Sequence, residues 1–296
     1  MKQLAIIGPT ASGKSELAIS VAKKIDAYIL SIDSLSIYKE INIVSAKPSK
    51  SELSDIKHFG IDEIYPNQDF NVDIFIALYN EVIKKCNLDN KNLIIVGGTS
   101  FYLKSLLDGL SPLPNISKDI KILVSSNLKT NLNKVYQELY QADKKYMEKI
   151  SPKDTYRIEK AALIYESSRM TPTQWFLQNP PKPIINNLNI YNIEVDRDTI
   201  RKRITYRTKK MYEMGLIDEV CYLEQKYTRF PNAMKSIGIV EVLEYLDMKI
   251  NKDKMLELIS IHTAQLAKRQ QTFNKTQFIG VRGASLDKLE EVILSQ

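Results

Sequence analysis

Gly8-Pro9-Thr10-Ala11-Ser12-Gly13-Lys14-Ser15 is the stretch whose reading decides the fold. It fits the pattern G-x-x-x-x-G-K-[ST]. The apolar run 4–7 (LAII) precedes it, and the helix-spaced segment ELAISVAKK follows from residue 16. Strand, tight turn, helix is the context in which such a loop points its backbone N–H groups at phosphate oxygens. The helix N-terminus adds positive potential there. All eight residues are therefore phosphate-binding candidates. Lys14 would neutralise phosphate charge, and Ser15 would ligate Mg²⁺. The motif does not say whose phosphates they are.

Outward from the loop, residues 27–32 (AYILSI) and 93–96 (LIIV) read as buried strands, with a helix at 72–85 between them. Later strands are expected at 187–195 and 277–281. Strands alternating with helices predict an α/β fold, a parallel sheet covered on both faces. Two proline punctuations, SPLPNIS and NPPKP, bracket a segment with helical patterning at 134–150 and 155–168. The expected organisation is a sheet domain from 1–110 and 189–296, with an all-α insertion at 111–188.

The 296 residues are 44% hydrophobic and 26% charged, which excludes a disordered chain. Cys86 and Cys221 are too few for a disulfide scaffold, and with His58 and His262 they match no zinc spacing. No apolar run approaches a bilayer span, and the first one breaks at Gly8-Pro9. The expectation is a protein of a reducing cytoplasm, with no membrane partner. Net charge is +7, unevenly spread. Residues 1–110 hold 12 lysines, no arginine and 13 acids, and the first arginine is Arg157. A basic half beside a near-neutral half fits a polyanionic partner, although solvated lysines give the same count.

Ligands of parallel sheets gather at the carboxyl ends of the strands. Ser15, Asp33 and Thr99 all fall there. Asp33 can serve as a general base or a Mg²⁺ partner, and Thr99 can orient a substrate. The plain alternatives are an N-cap at Asp33-Ser34 and a tight turn at Gly97-Gly98-Thr99. The strand 93–96 ends in two glycines where nucleotide hydrolases carry an acid, which points to transfer chemistry. In the segment 197–215, Arg203 and Arg207 share a helical face, and Ile200, Ile204 and Met211 form the buried stripe. Trp175 and His262 read as structural. His58 reads equally as a packing residue or a substrate contact.

GPTASGKS (8–15), DSLSIYKEINIVSAKPS (33–49), GGTSFYLKSLLDGLSPLP (97–114), SIGIVEVLEYL (236–246) and TAQLAKRQ (263–270) occur in order. Together they resemble the tRNA dimethylallyltransferases, also called tRNA isopentenyltransferases. The resemblance implies a P-loop NTPase fold of the nucleotide-kinase type with a helical insertion. It implies Mg²⁺-dependent transfer of the dimethylallyl group from dimethylallyl diphosphate to N6 of adenosine 37. That base lies beside the anticodon of tRNAs reading codons that begin with U. It also implies a monomer that grips the anticodon stem-loop. On this resemblance Asp33 is the base, the loop holds the diphosphate with Arg203 and Arg207 nearby, and Asp33, Ser34, Leu35, Ser36 and Thr99 meet the target nucleotide. Lys121, Tyr156, Arg157, Lys160 and Lys235 would contact RNA. The chain departs from the family at Gly238-Ile239-Val240, Ala264 and Phe273-Asn274-Lys275, where aromatic or arginine contacts are usual. A small-molecule kinase and a nucleotide-gated RNA-binding switch are the competing readings.

Overall fold

A computed structural model describes residues 1–48, Leu53 and 55–295. Ser49, the last residue of the 33–49 motif, and Gln296 lie outside the described residues. The chain forms two compact units, Met1–Leu106 with Ile185–Gln296, and Leu107–Ile184.

The first unit is built on a six-stranded parallel sheet. Its strands are β1 (Gln3–Ile7), β2 (Ala27–Ser31), β3 (His58–Phe59), β4 (Asn92–Gly97), β5 (Asn189–Ile193) and β6 (Arg282–Ala284), in the order β3-β2-β4-β1-β5-β6. Helix α1 (Lys14–Ile25) lays Leu17, Ala18, Val21 and Ala22 on Ile6, Ile29, Ile94 and Val96. The alternate strand residues Ala5, Ile7, Leu30, Leu93 and Ile95 are equally buried, so the opposite face is covered too. Helix α2 (Val72–Leu88) contributes Phe75, Tyr79, Val82 and Cys86 to the interior. Helix α3 (Ser100–Asp108) follows β4.

Two sheet edges differ from expectation. The strand expected at 277–281 is β6, at Arg282–Ala284. Phe278 and Ile279 supplied the apolar signal, but Phe278 packs edge-on against Phe273 and Ile279 is fully exposed. Gly280 then turns the chain at φ 73°, and Arg282-Gly283-Ala284 pairs with β5, with Ala284 packed against the sheet core. At the other edge, His58–Phe59 is a two-residue strand against Ile29 and Leu30, too short to leave a periodic signal.

In the second unit, α4 (Lys118–Ala142), α5 (Lys144–Met147), α6 (Thr155–Ser168) and α7 (Pro172–Gln178) surround Val124, Tyr136, Leu139, Met147 and Ile158. Within α4 the backbone is non-helical at Asn131, whose Oδ1 accepts from Lys134 N at 2.9 Å, close to the start of the helix expected over 134–150. That helix then breaks at Asp143, whose non-helical backbone ends α4 while its side chain caps α5. Asp143 Oδ1 accepts from Tyr146 N at 3.1 Å and Thr173 Oγ1 at 2.8 Å, and Oδ2 accepts from Thr173 N at 2.7 Å. Trp175 is half-buried and donates its indole N–H to the Pro112 carbonyl at 2.8 Å.

Behind β5 the first unit continues through α8 (Arg197–Glu213), α9 (Leu216–Tyr227), a 3₁₀ turn at Asn232–Lys235, α10 (Ile239–Leu246), α11 (Lys252–Gln277) and α12 (Leu286–Leu294). Asp196 caps α8 by accepting from Asp198 N and Thr199 N. Met211, Leu216, Val220, Leu223, Val242 and Ile259 form a second core with Ile37, Ile41 and Val44. That core is where the loop after β2 is anchored.

Asp143 is buried and ties three donors, so Asp143→Ala orphans all of them. Unfolding of the helical unit, followed by circular dichroism in denaturant, is expected to show a loss of roughly 2–4 kcal/mol.

Candidate active site

Parallel register brings the carboxyl ends of β1, β4 and β2 side by side, and the phosphate loop, Thr99 and Asp33 follow those three ends. Ile32 N donates to Val96 O at 2.8 Å and Thr99 N donates to Ile32 O at 3.2 Å, so β2 and β4 stay paired past their last strand residues. The approach is close enough that a Cβ on Gly97 would stand 2.8 Å from the Ile32 carbonyl carbon. A Cβ on Gly98 would collide with the Gln270 amide.

Gln270, on α11, accepts from Thr10 N at 2.8 Å and so ties the phosphate loop to α11, whose Gln270 amide lies against Gly98. Lys14 donates its ammonium to the Pro9 carbonyl at 2.7 Å. Enclosure by the loop pushes the Lys14 pKa down to about 8. The Asp33 carboxylate opposes that shift, and the nearby Arg207 adds to it. From α8, Arg203 reaches the Ala11 and Ser12 carbonyls at 3.5 and 3.3 Å, and Arg207 reaches the Ser45 carbonyl at 3.4 Å. Burial lowers the Arg207 pKa and Asp33 counteracts it. Ile200, Ile204 and Met211 are buried beneath.

The Asp33 carboxylate has a divided role. Its Oδ1 accepts from Leu35 N at 2.9 Å and Ser36 N at 3.2 Å, which shapes a turn where a helix cap was the plain alternative. Its Oδ2 has no hydrogen-bond partner among the described residues. Thr99 Oγ1 accepts from Ser34 N at 3.2 Å, which leaves the hydroxyl proton to donate.

Two cavities meet here. One, of about 510 Å³, is lined by residues 10–15 of the phosphate loop, Asp33, Arg203, Arg207 and His58. The other, of about 280 Å³, is lined by Thr99, Ser34, Leu35, Lys235 and Gln270. Thr10, Asp33, Ser45 and Arg207 line both. Gly8 and Pro9 form the loop's entry, and Ser36 lines the larger cavity. Anions fit the larger cavity: three cationic side chains converge on it, and the buried Ser12 hydroxyl has no partner among the described residues. A Mg²⁺ ion fits only in part, through the Ser15 hydroxyl and the Asp33 carboxylate. No cluster of three His, Cys, Asp or Glu exists among the described residues, so phosphate oxygens and water would complete its shell.

Lys121 stands on α4, whereas Tyr156, Arg157 and Lys160 share the first turns of α6. Lys160 lies 5.4 Å over the exposed Tyr156 ring, and Arg157 pairs with Asp154 at 3.5 Å. These four belong to the helical unit, and the other candidates belong to the sheet unit. His58 lines the phosphate cavity, with Nδ1 2.7 Å from the Ile56 carbonyl and its pKa lowered by burial. His262 meets the buried Glu241 carboxylate at 2.5 Å. The sequence alone gives Ser45 and Gln270 no role. Both lie inside the quoted motifs, which was the available signal.

Residues 36–277 match the family model described as IPP transferase. The chain is 66% identical over 295 residues to the tRNA dimethylallyltransferase of Sulfurimonas denitrificans, covering 100% of this chain and 99% of that protein. It is 56% identical to the tRNA dimethylallyltransferase of a Sulfurovum species, covering 99% and 98%. Its fold is similar to the crystal structure of a tRNA isopentenylpyrophosphate transferase from Bacillus halodurans, with TM-score 0.72, 25% identity and coverage of 99% and 94%. A tRNA delta(2)-isopentenylpyrophosphate transferase from Staphylococcus epidermidis gives TM-score 0.69 at 30% identity, covering 100% and 98%.

The lowered Lys14 pKa carries a sign. An anion favours the ammonium form, and that form is lost from the free protein as pH rises through about 8. Affinity for inorganic diphosphate, titrated calorimetrically at fixed ionic strength, is expected to weaken from about pH 7 to about pH 9.5. Proton uptake above about pH 8 should make the heat depend on the buffer's ionisation enthalpy.

Proposed function

This chain belongs to the IPP transferase family, the tRNA dimethylallyltransferases, and is a prenyltransferase; on that premise we propose how its two joined cavities divide the reaction. The larger cavity takes dimethylallyl diphosphate, its phosphates on residues 8–15 with Lys14, Arg203 and Arg207. The smaller one takes the adenine of position 37, turned out of the anticodon loop beside Thr99 and Lys235. The observation that carries this reading is that Asp33, with one oxygen unpartnered, lines both cavities.

The adenine amine is a weak nucleophile because its lone pair is delocalised into the ring. In the transfer, N6 bonds to C1 of the prenyl group, the C1–O bond to diphosphate breaks, and the N6 proton passes to Asp33 Oδ2. Thr99 donates its hydroxyl hydrogen bond to the nucleotide. Lys14, Arg203 and Arg207 stabilise the charge that develops on the leaving oxygen, where preorganised cations are worth most. Mg²⁺, held by Ser15 and the phosphates, would supply further neutralisation of that charge. Holding amine and carbon at attack distance contributes several kcal/mol more. Turning out a hairpin-loop base costs only a few kcal/mol. The RNA is the tRNA of the cytoplasm, read by a single copy of the chain. Lys121, Tyr156, Arg157 and Lys160 of the helical unit bind the anticodon stem-loop.

The test is incubation with dimethylallyl diphosphate, Mg²⁺ and unmodified tRNA, followed by mass analysis of nucleosides for one five-carbon unit on adenosine. Asp33→Asn keeps an oxygen for Leu35 N and Ser36 N but removes the base. It is expected to slow transfer by roughly 10²–10³-fold while tRNA still binds. Near-normal turnover would remove Asp33 from its role. Affinity for tRNA should also fall steeply with salt, and a flat profile between low and moderate salt would contradict the basic clamp.

A further inference from the structure

The turn at 42–46 lines both cavities through Ser45 and is closed internally by Ala46 N donating to Ile43 O at 3.0 Å and by the Ser45 hydroxyl donating to Ile41 O at 2.5 Å. Ala46 sits in the left-handed region at φ 46°, a costly choice for a residue with a side chain. Three successive backbone N–H groups of the turn, those of Asn42, Ile43 and Val44, point outward together. A single side chain receives them. Glu219, in the first turn of α9, accepts from Asn42 N at 2.9 Å, from Ile43 N at 3.0 and 2.8 Å with its two oxygens, and from Val44 N at 3.0 Å. Such a concave run of amides is an anion site, and here the protein fills it with its own carboxylate. Beside the turn, the largely buried Lys47 ammonium donates to Tyr38 O at 2.5 Å and pairs with Asp62 at 2.6 Å. An anion therefore anchors the amides of the turn, and just past it the Lys47 cation is tied to the Tyr38 carbonyl and Asp62.

What the turn presents inward is the Ser45 carbonyl, which accepts from Arg207 at 3.4 Å. Ser45 and Arg207 line both cavities, and Glu219 lines neither. We infer that Glu219 is a positioning residue for the diphosphate end of the reaction, fixing the 42–46 turn so that the Ser45 carbonyl sets where the Arg207 guanidinium stands. The inference rests on the reading of the larger cavity as the diphosphate site. A carboxylate is required by count. It offers acceptors only, whereas the amide of Gln turns two donors toward amides that need an acceptor.

The test is a double-mutant cycle between Glu219 and Arg207. Glu219→Gln, with folding checked by circular dichroism, should lower kcat/KM for dimethylallyl diphosphate by roughly 10–100-fold and leave KM for tRNA unchanged. In an Arg207→Gln background the same substitution should change kcat/KM by less than about threefold, since its route of action is already gone. Should Glu219→Gln fold poorly, Glu219→Asp, which keeps the charge but is one methylene shorter, enters the same cycle. Multiplicative losses overturn the inference. So does a variant whose only defect is a lower melting midpoint, with normal kcat/KM per folded molecule. Calorimetric titration with inorganic diphosphate separates this from the reaction itself. Weaker binding by Glu219→Gln supports the positioning role even if wild-type protein transfers no prenyl group, an outcome that would sink only the proposed function. Equal binding by the two proteins overturns the role.

Discussion

Two backbone hydrogen bonds at the ends of β2 and β4, Ile32 N to Val96 O and Thr99 N to Ile32 O, are what the rest of the site depends on. They keep the ends of β2 and β4 in register after the strands have given way to turns. Asp33 and Thr99 are consequently fixed by main chain, the stiffest material in the fold. The glycine pair Gly97-Gly98 is the condition for that approach, because a side chain at either position would occupy space already taken by Ile32 or Gln270.

Around this seam, charge is arranged by burial as much as by count. Three cations, Lys14, Arg203 and Arg207, converge on one cavity, with Asp33 as the carboxylate that perturbs both Lys14 and Arg207. Desolvation weakens the grip of Lys14 on its own proton, and a nearby anion restores it. The cavity is thus electrostatically incomplete until a polyanion enters, which is the sense in which its geometry and its substrate class agree. Arg203 and Arg207 reach it because α8 buries Ile200 and Ile204 one turn apart and so turns the guanidinium face toward the loop.

The phosphate loop, Asp33 and the glycine turn could be read from sequence because each is a run of neighbouring residues whose chemistry is local. The parallel sheet was legible for the same reason, through LAII, AYILSI and LIIV. What escaped was set by distance or by edges. Gln270 contacts Thr10 across 260 positions, and Arg207 contacts Ser45 across 162, separations that leave no periodic trace. Strand β3 has two residues, and β6 is Arg-Gly-Ala, so backbone pairing made both without an apolar run. The apolar Phe278 and Ile279 misdirected the reading because one caps a helix against Phe273 and the other faces solvent.

The divided carboxylate of Asp33 has a consequence for the whole cycle. One oxygen is committed to the turn, and the other touches no acceptor to which a hydrogen ion could be handed on. Nothing among the described side chains forms a wire leading from it to the surface. In the proposed reaction, a proton taken up by Oδ2 would therefore leave through water once the modified RNA had withdrawn from the smaller cavity. On that reading, return of solvent to the cavity is what would make the carboxylate ready for another round.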